Sequence, residues 1–233
     1  MIRLLFLFLL TGMPFLSAHA NVNATQYDEF WLWSAVRPQP VLAQAKTLYI
    51  LQGQISEQRG ISRFIPQGIA VPRLHHGQVW LTYRVETLNW SENIYRSIRQ
   101  QLIRWQKQGN PVAGIQIDFD ARTLRMQEYI AFLTTLRQQL PEQYALSITG
   151  LLDWSNHTSP ELVNQLADVV DEVVIQTYQG RHTIPTYAAY LSRLVNLTIP
   201  FKIGLVQHGE WQAPAYLQQS AWFRGYVVFL LND

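Results

Sequence analysis

Short runs rich in β-branched and aromatic residues recur along the chain, separated in its second half by stretches with helical periodicity. Eight runs read as strands: Glu29–Trp33, Thr47–Gln52, Val79–Val85, Val112–Asp118, Ala145–Gly150, Glu172–Tyr178, Phe201–Val206 and Tyr226–Leu230. Amphipathic helices fit between several of them. Ser91–Lys107 opens at a cap-type serine and sets Ile94, Ile98, Leu102, Ile103 and Trp105 mostly on one face. Leu124–Leu140 does the same with Tyr129, Leu133 and Leu136, and stops before Pro141. Ser159 and Pro160 form an N-cap followed by proline at the first helical position, starting a helix that reaches the neighbourhood of Ala167. Thr186–Val195 and Ala213–Ser220 are shorter helical stretches.

Strands alternating with helices predict a parallel sheet, and eight strands in a chain of this length predict a small (β/α)8 TIM barrel. An open doubly wound sheet is the alternative, but no G-x-G-x-x-G follows any strand, so dinucleotide binding lacks its usual support. Gly53–Gly77, with Pro66 and Pro72, shows no helical pattern and is expected to be an irregular excursion in place of the second helix.

Composition narrows the class. With 48% hydrophobic and 15% charged residues the chain can bury a core, which excludes a disordered polypeptide. The absence of cysteine removes disulfides, a thiol nucleophile and thiolate metal sites. Met1-Ile2-Arg3, the apolar run Leu4–Leu16 and the small-residue site Ser17-Ala18-His19-Ala20 predict a signal peptide over residues 1–20. The apolar run is too short to span a bilayer, which takes about 20 residues. A single barrel domain over residues 21–233 is therefore expected in the periplasm or outside the cell, with no integral membrane segment after cleavage. Its cations are scattered and nearly balanced by acids, which argues against nucleic acid as a partner.

The segment Val112–Asp120 carries the most chemistry. Strand alternation turns Ile115, Ile117 and Phe119 one way and Gln116, Asp118 and Asp120 the other. In a barrel the second set faces the interior, with Asp120 at the C-terminal rim where barrel enzymes place catalytic groups. Two carboxylates about 6.6 Å apart raise one another's pKa, which suits one of them to act as a general acid. The plainer alternative is that Asp120 caps the following helix while Asp118 accepts hydrogen bonds from neighbouring strands. Arg84 lies on the same strand face as Thr82 and Glu86, either as a strut for the acids or as a ligand contact. Trp33, Trp154 and Trp211 fall near predicted C-terminal strand ends, where indoles can stack on sugar rings or simply fill the core. No i, i+4 histidine pair accompanies His75, His76 and His208, so no metal site is expected, and no G-x-S-x-G elbow marks a serine hydrolase.

Gly114, Asp118 and Asp120 make this strand resemble the fourth strand of family 18 glycoside hydrolases, whose pattern is D-G-x-D-x-D-x-E. Ala113 and Gln116 replace its first two aspartates, and Asp120 stands where the glutamate belongs. Val174-Ile-Gln176-Thr-Tyr178-Gln-Gly180 resembles that family's M-T-Y-D motif, with Gln179 in place of the aspartate. The Q-I-D-F-D-A segment, the L-S-I-T-x-L-x-x-W segment from Leu146 to Trp154 and the D-E-V-V segment from Asp171 to Val174 are similar to the bacterial family called domain of unknown function 3142. This second likeness implies a fold more than a function.

The chitinase-like resemblance implies a cofactor-free, metal-free glycoside hydrolase. Asp120 would protonate the glycosidic oxygen, Asp118 would orient a substrate 2-acetamido group, and Tyr178 would hold the intermediate, with Gln116, Trp33, Arg84, Glu86, Trp154 and Gln176 as substrate contacts. Aspartate in place of glutamate retracts the acid by one methylene, which weighs against unmodified chitinase chemistry. A conventional acid pair between Asp120 and Glu86, Asp153 or Glu210 stays open. So do a glycan-binding barrel without turnover and a structural envelope protein. The expected partner in the first two cases is an oligosaccharide or polysaccharide.

Overall fold

The computed structural model describes residues 20–33, 36–68, 73–74, 77–119, 125–152, 154, 160–194 and 196–232. Eight strands form its centre: β1 (Glu29–Leu32), β2 (Thr47–Gln58), β3 (Gln78–Val85), β4 (Val112–Phe119), β5 (Ala145–Leu151), β6 (Glu172–Gln176), β7 (Phe201–Val206) and β8 (Phe223–Phe229). Each pairs in parallel with the next. The ring closes where Val228 and Phe229 of β8 pair with Phe30 and Trp31 of β1. A sheet that closes on itself is a barrel, and closure excludes the open doubly wound alternative.

Alternation gives each strand an outer and an inner face. Phe30, Ile50, Leu81, Ile117, Ile148 and Ile203 point outward into the layer under the helices. Trp31, Tyr49, Trp80, Val174 and Val227 pack inside the barrel. Helix α1 (Glu92–Lys107) buries Ile94, Ile98, Leu102 and Trp105. Ile103, expected on that face, is 49% exposed, because one residue beyond Leu102 is a turn of about 100° away from the core. Helix α2 (Met126–Gln139) buries Tyr129, Leu133 and Leu136, and ends where Leu140 turns extended, as a residue preceding proline does. Helix α3 (Pro160–Asn164) runs into a 3-10 turn at Gln165–Asp168, and α4 spans Tyr187–Leu194. The helix expected over Ala213–Ser220 is a single 3-10 turn, Ala215–Gln219.

The expected irregular excursion after β2 starts instead as a regular hairpin. Strand β2 continues to Gln58, and the chain returns antiparallel as Ile61–Pro66. Arg59 and Gly60 between them have φ of 53° and 76°, two successive left-handed residues whose twist suits a two-residue hairpin turn. This ribbon stands where the second crossover helix would lie.

Gly114 is set by packing. A Cβ there would sit 1.9 Å from the Ala145 carbonyl oxygen of the neighbouring strand, and backbone cannot retreat as a flexible side chain can. Gly114→Ala is expected to cost about 2–3 kcal/mol, measured as a lower urea midpoint at unchanged slope. An unaltered midpoint would show that β4 and β5 separate at little cost.

Candidate functional site

The barrel interior is layered along its axis. At the N-terminal end, Glu29, Glu172 and Lys202 enter from the first or second residues of β1, β6 and β7. Lys202 Nζ lies 2.6 Å from Glu29 Oε2 and 2.9 Å from Glu172 Oε2. It also donates to Tyr49 OH at 3.0 Å, and Tyr49 donates to Glu172 Oε1 at 2.7 Å. Burial pushes the Glu29 carboxyl above its ordinary range, with Lys202 opposing that rise. Burial alone would depress the Lys202 ammonium, but Glu172 and Glu29 reverse the sign and hold it above its usual value.

Above this floor lies a hydrogen-bonded layer centred on Gln116 of β4. Its Oε1 accepts from Trp31 Nε1 at 2.6 Å and from Thr82 Oγ1 at 3.3 Å, and its Nε2 donates to Ser147 Oγ at 3.0 Å. Ser147 in turn donates to Glu172 Oε1 at 3.0 Å, linking the two layers. Gln116 is wholly buried, so its amide serves the interior. Gly204 of β7 makes room for the Trp31 ring, since a Cβ there would stand 2.6 Å from it.

The top layer opens into a cavity of about 360 Å³ at the C-terminal mouth, lined by Trp33, Arg84, Val85, Asp118, Gln176, Tyr178, Gly180 and Phe229. Five of the residues singled out in the sequence meet here: Trp33, Arg84, Asp118, Gln176 and Tyr178. Asp118 Oδ1 accepts from Thr149 Oγ1 of β5 at 2.9 Å. Strand β6 stops at Gln176, and Thr177 turns to bond the Gly204 carbonyl through both its N–H and its hydroxyl. That break carries Tyr178 into a short hairpin with His182 and Thr183 and so into the cavity.

The Tyr178 ring meets Trp31 edge-on at 6.4 Å and leans on Phe229 at 5.6 Å, while Phe229 contacts Trp33 at 5.9 Å. The result is a continuous aromatic wall. Burial, reinforced by the negative charge of Asp118 and opposed by a hydrogen bond with Gln176, holds the Tyr178 hydroxyl far above the ordinary phenol range. It is therefore neutral in a cavity that also holds a carboxylate.

Other sequence-predicted residues are placed elsewhere. Trp154 is 1% exposed and joins the layer outside the strands. Glu86 accepts a 2.6 Å hydrogen bond from Gln54 Nε2 and is not in the cavity wall. Glu210 and His208 line another cavity with Arg181 and His182, and Trp211 is buried against Tyr187. Asp120, Asp153, His75 and His76 lie outside the described residues. Among the described residues no group of three or more histidines and acids is placed to hold a metal. Phe229 was not singled out in the sequence. Its signal is the alternation in the last strand, where Val227 and Phe229 share the inner face.

Fold and site together define a closed parallel barrel with an aromatic, acid-bearing cavity at its C-terminal mouth. The chain belongs to the family described as domain of unknown function 3142, whose model matches residues 77–194, from β3 through α4. No curated protein matches it in sequence. Among solved structures it is similar to the Bacillus cereus spore cortex-lytic enzyme SleL, at 17% identity and a TM-score of 0.44, over 76% of this chain and 49% of that one. It is similar too to the chitinase domain of the spore coat protein CotE from Clostridium difficile, at 15% identity and a TM-score of 0.46, over 72% and 62% of the two chains. A third is the xylanase-α-amylase inhibitor protein XAIP-I in complex with trehalose, at 9% identity and a TM-score of 0.48, over 79% and 84%. The chain spans about half the length of SleL.

Proposed function

We propose that this protein is an exported glycan-acting barrel that hydrolyses a polysaccharide or cell-envelope glycan by acid-assisted chemistry without a metal. The observation that supports this reading is the convergence of Asp118, Tyr178, Gln176 and Arg84 with the Trp33–Phe229–Tyr178 aromatic wall in one cavity. Aromatic faces suit the apolar faces of sugar rings, and the polar groups suit hydroxyl and amide substituents. In this reading Asp120 protonates the departing glycosidic oxygen. The Asp118 carboxylate, fixed by Thr149, stabilises positive charge developing at the anomeric carbon, and neutral Tyr178 donates to the substrate. Export rests on the leader-like residues 1–20. Among the described residues no helix is long and apolar enough to cross a membrane.

A glycan-binding barrel without turnover is the second reading. What favours it is that Asp118 is the sole carboxylate among the described residues of the cavity wall, while Gln116 is committed to the interior. One experiment separates the two. The protein is titrated with chito-, muramyl- and uronate-containing oligosaccharides while tryptophan fluorescence and reducing-end release are followed together. Quenching with product release is expected. Quenching without release would assign the binding reading, and silence on both would overturn the carbohydrate assignment.

A further inference from the structure

Arg84 is the one cation among the described residues of the cavity wall, and it forms no salt bridge with the one carboxylate there, Asp118. It is a register partner of Asp118 on the neighbouring strand, yet among the described residues it enters no ion pair and no side-chain hydrogen bond. The two side chains differ in reach. The single methylene of Asp118 keeps its carboxylate close to β4, where Thr149 holds it, whereas the three-carbon stem of Arg84 carries an exposed guanidinium up toward the mouth.

A second arginine follows the cavity wall in sequence but lines the neighbouring cavity. Arg181 follows Gly180 of the cavity wall and donates to the Asn232 carbonyl at 3.0 Å. The side chain of Asn232 accepts from the backbone N–H of Arg37 at 2.7 Å, which places the Arg37 loop beside it. The acid nearest to Arg84 along its own strand, Glu86, is engaged with Gln54. Arg84 is thus the cation available to a ligand in this cavity. A planar guanidinium with free donors matches a carboxylate in a two-point hydrogen-bonded pair.

We infer that the ligand of this cavity is an acidic glycan, with Arg84 binding a carboxylate substituent on a sugar seated against Trp33 and Phe229. The inference rests on the carbohydrate reading of the cavity and adds the class of sugar. A carboxylated glycan reaches the rim by its substituent, clear of Asp118, while its uncharged ring face meets the aromatic wall. Uronic acids and the lactyl ether of muramic acid both supply that carboxylate.

The test is a calorimetric titration of the full chain with hexagalacturonate, its carboxyl-reduced neutral counterpart, and a strand of alternating N-acetylglucosamine and N-acetylmuramic acid. At least one acidic glycan is expected to bind about tenfold or more tighter than the neutral hexamer. That advantage should shrink between about 20 mM and about 500 mM salt, as the Debye length shortens. Arg84→Gln should abolish the preference while keeping the melting temperature, and Arg84→Lys should keep part of it. Tight binding of the uronide alone assigns a uronic acid, and of the muramyl strand alone the lactyl group. Equal affinity for acidic and neutral sugars, or a preference unchanged in Arg84→Gln, overturns the inference and leaves the carbohydrate reading standing. Absence of binding by every sugar overturns both.

Discussion

Replacing Lys202 with methionine is expected to destabilise the protein by about 3–5 kcal/mol, a fall in melting temperature on the order of 10 °C. Lys202 is the cation between Glu29 and Glu172, and its side chain is 11% exposed. Removing it leaves two carboxylates facing each other in a closed layer, with Tyr49 and Ser147 as the remaining donors to Glu172. Methionine fills the space of the lysine stem, so the loss reports charge and not a cavity.

The pH dependence identifies the cause. A carboxyl whose folded pKa is raised binds its proton more tightly in the folded state, so its stabilisation is present at low pH and lost as pH rises through that pKa. Glu29 is raised above its ordinary 4.5 even with Lys202 beside it. Without the lysine the rise is larger, and the variant should recover part of its stability between about pH 7 and about pH 5. The Lys202 ammonium is raised above 10.5, so in the native protein its contribution is complete below that pH and is lost only as pH rises through the folded pKa. Thermal melts of both proteins at three pH values check this. A variant equally destabilised at every pH would mean that lost packing dominates.

Asp118→Asn should leave sugar affinity within about threefold of native and slow glycan hydrolysis by about a hundredfold or more. The amide oxygen can still accept from Thr149, so the side chain keeps its place while the negative charge is lost. Uniform binding energy is thereby retained and transition-state stabilisation removed, a pattern seen as lower kcat at similar KM. The Tyr178 phenol titration supplies a readout independent of turnover. Asp118 contributes to the raised pKa of Tyr178, so in the variant the phenol should titrate lower. Native hydrolysis rates in Asp118→Asn would remove this carboxylate from the chemistry.

The barrel was legible in the sequence because its strands announce themselves. Phe201–Val206 spans the expected residues, Thr47–Gln52 continues to Gln58, and the other runs shift by one to three positions at their ends. The hairpin after β2 was not legible, since its turn is Arg59-Gly60 and a left-handed arginine is not a turn signal that Asn-Gly would be. Alternation placed both Gln116 and Asp118 inside correctly, but it carries no information on depth. One residue became part of the sealed interior and the other part of the cavity wall. Of the two roles open to Trp154 the structure takes core packing, for a related reason, because proximity to a strand end does not say which side of the wall a ring takes. The charged floor was not singled out in the sequence, although its signal is there in Lys202, a lone cation within an apolar strand. Its partners became known only when β1, β6 and β7 came together.

That floor bears on the order in which the chain can acquire its structure. Lys202 lies 173 residues beyond Glu29 and 153 beyond Tyr49, and Tyr49 reaches Glu172 across 123 positions. The acids of β1 and β6 therefore wait, uncompensated, until the seventh strand is present. Contacts of such separation are slow to form, because closing a long loop costs entropy before any contact rewards it. A nascent chain holding only the first six strands lacks the last two outer faces and, with them, the Lys202 ammonium that offsets the buried acids.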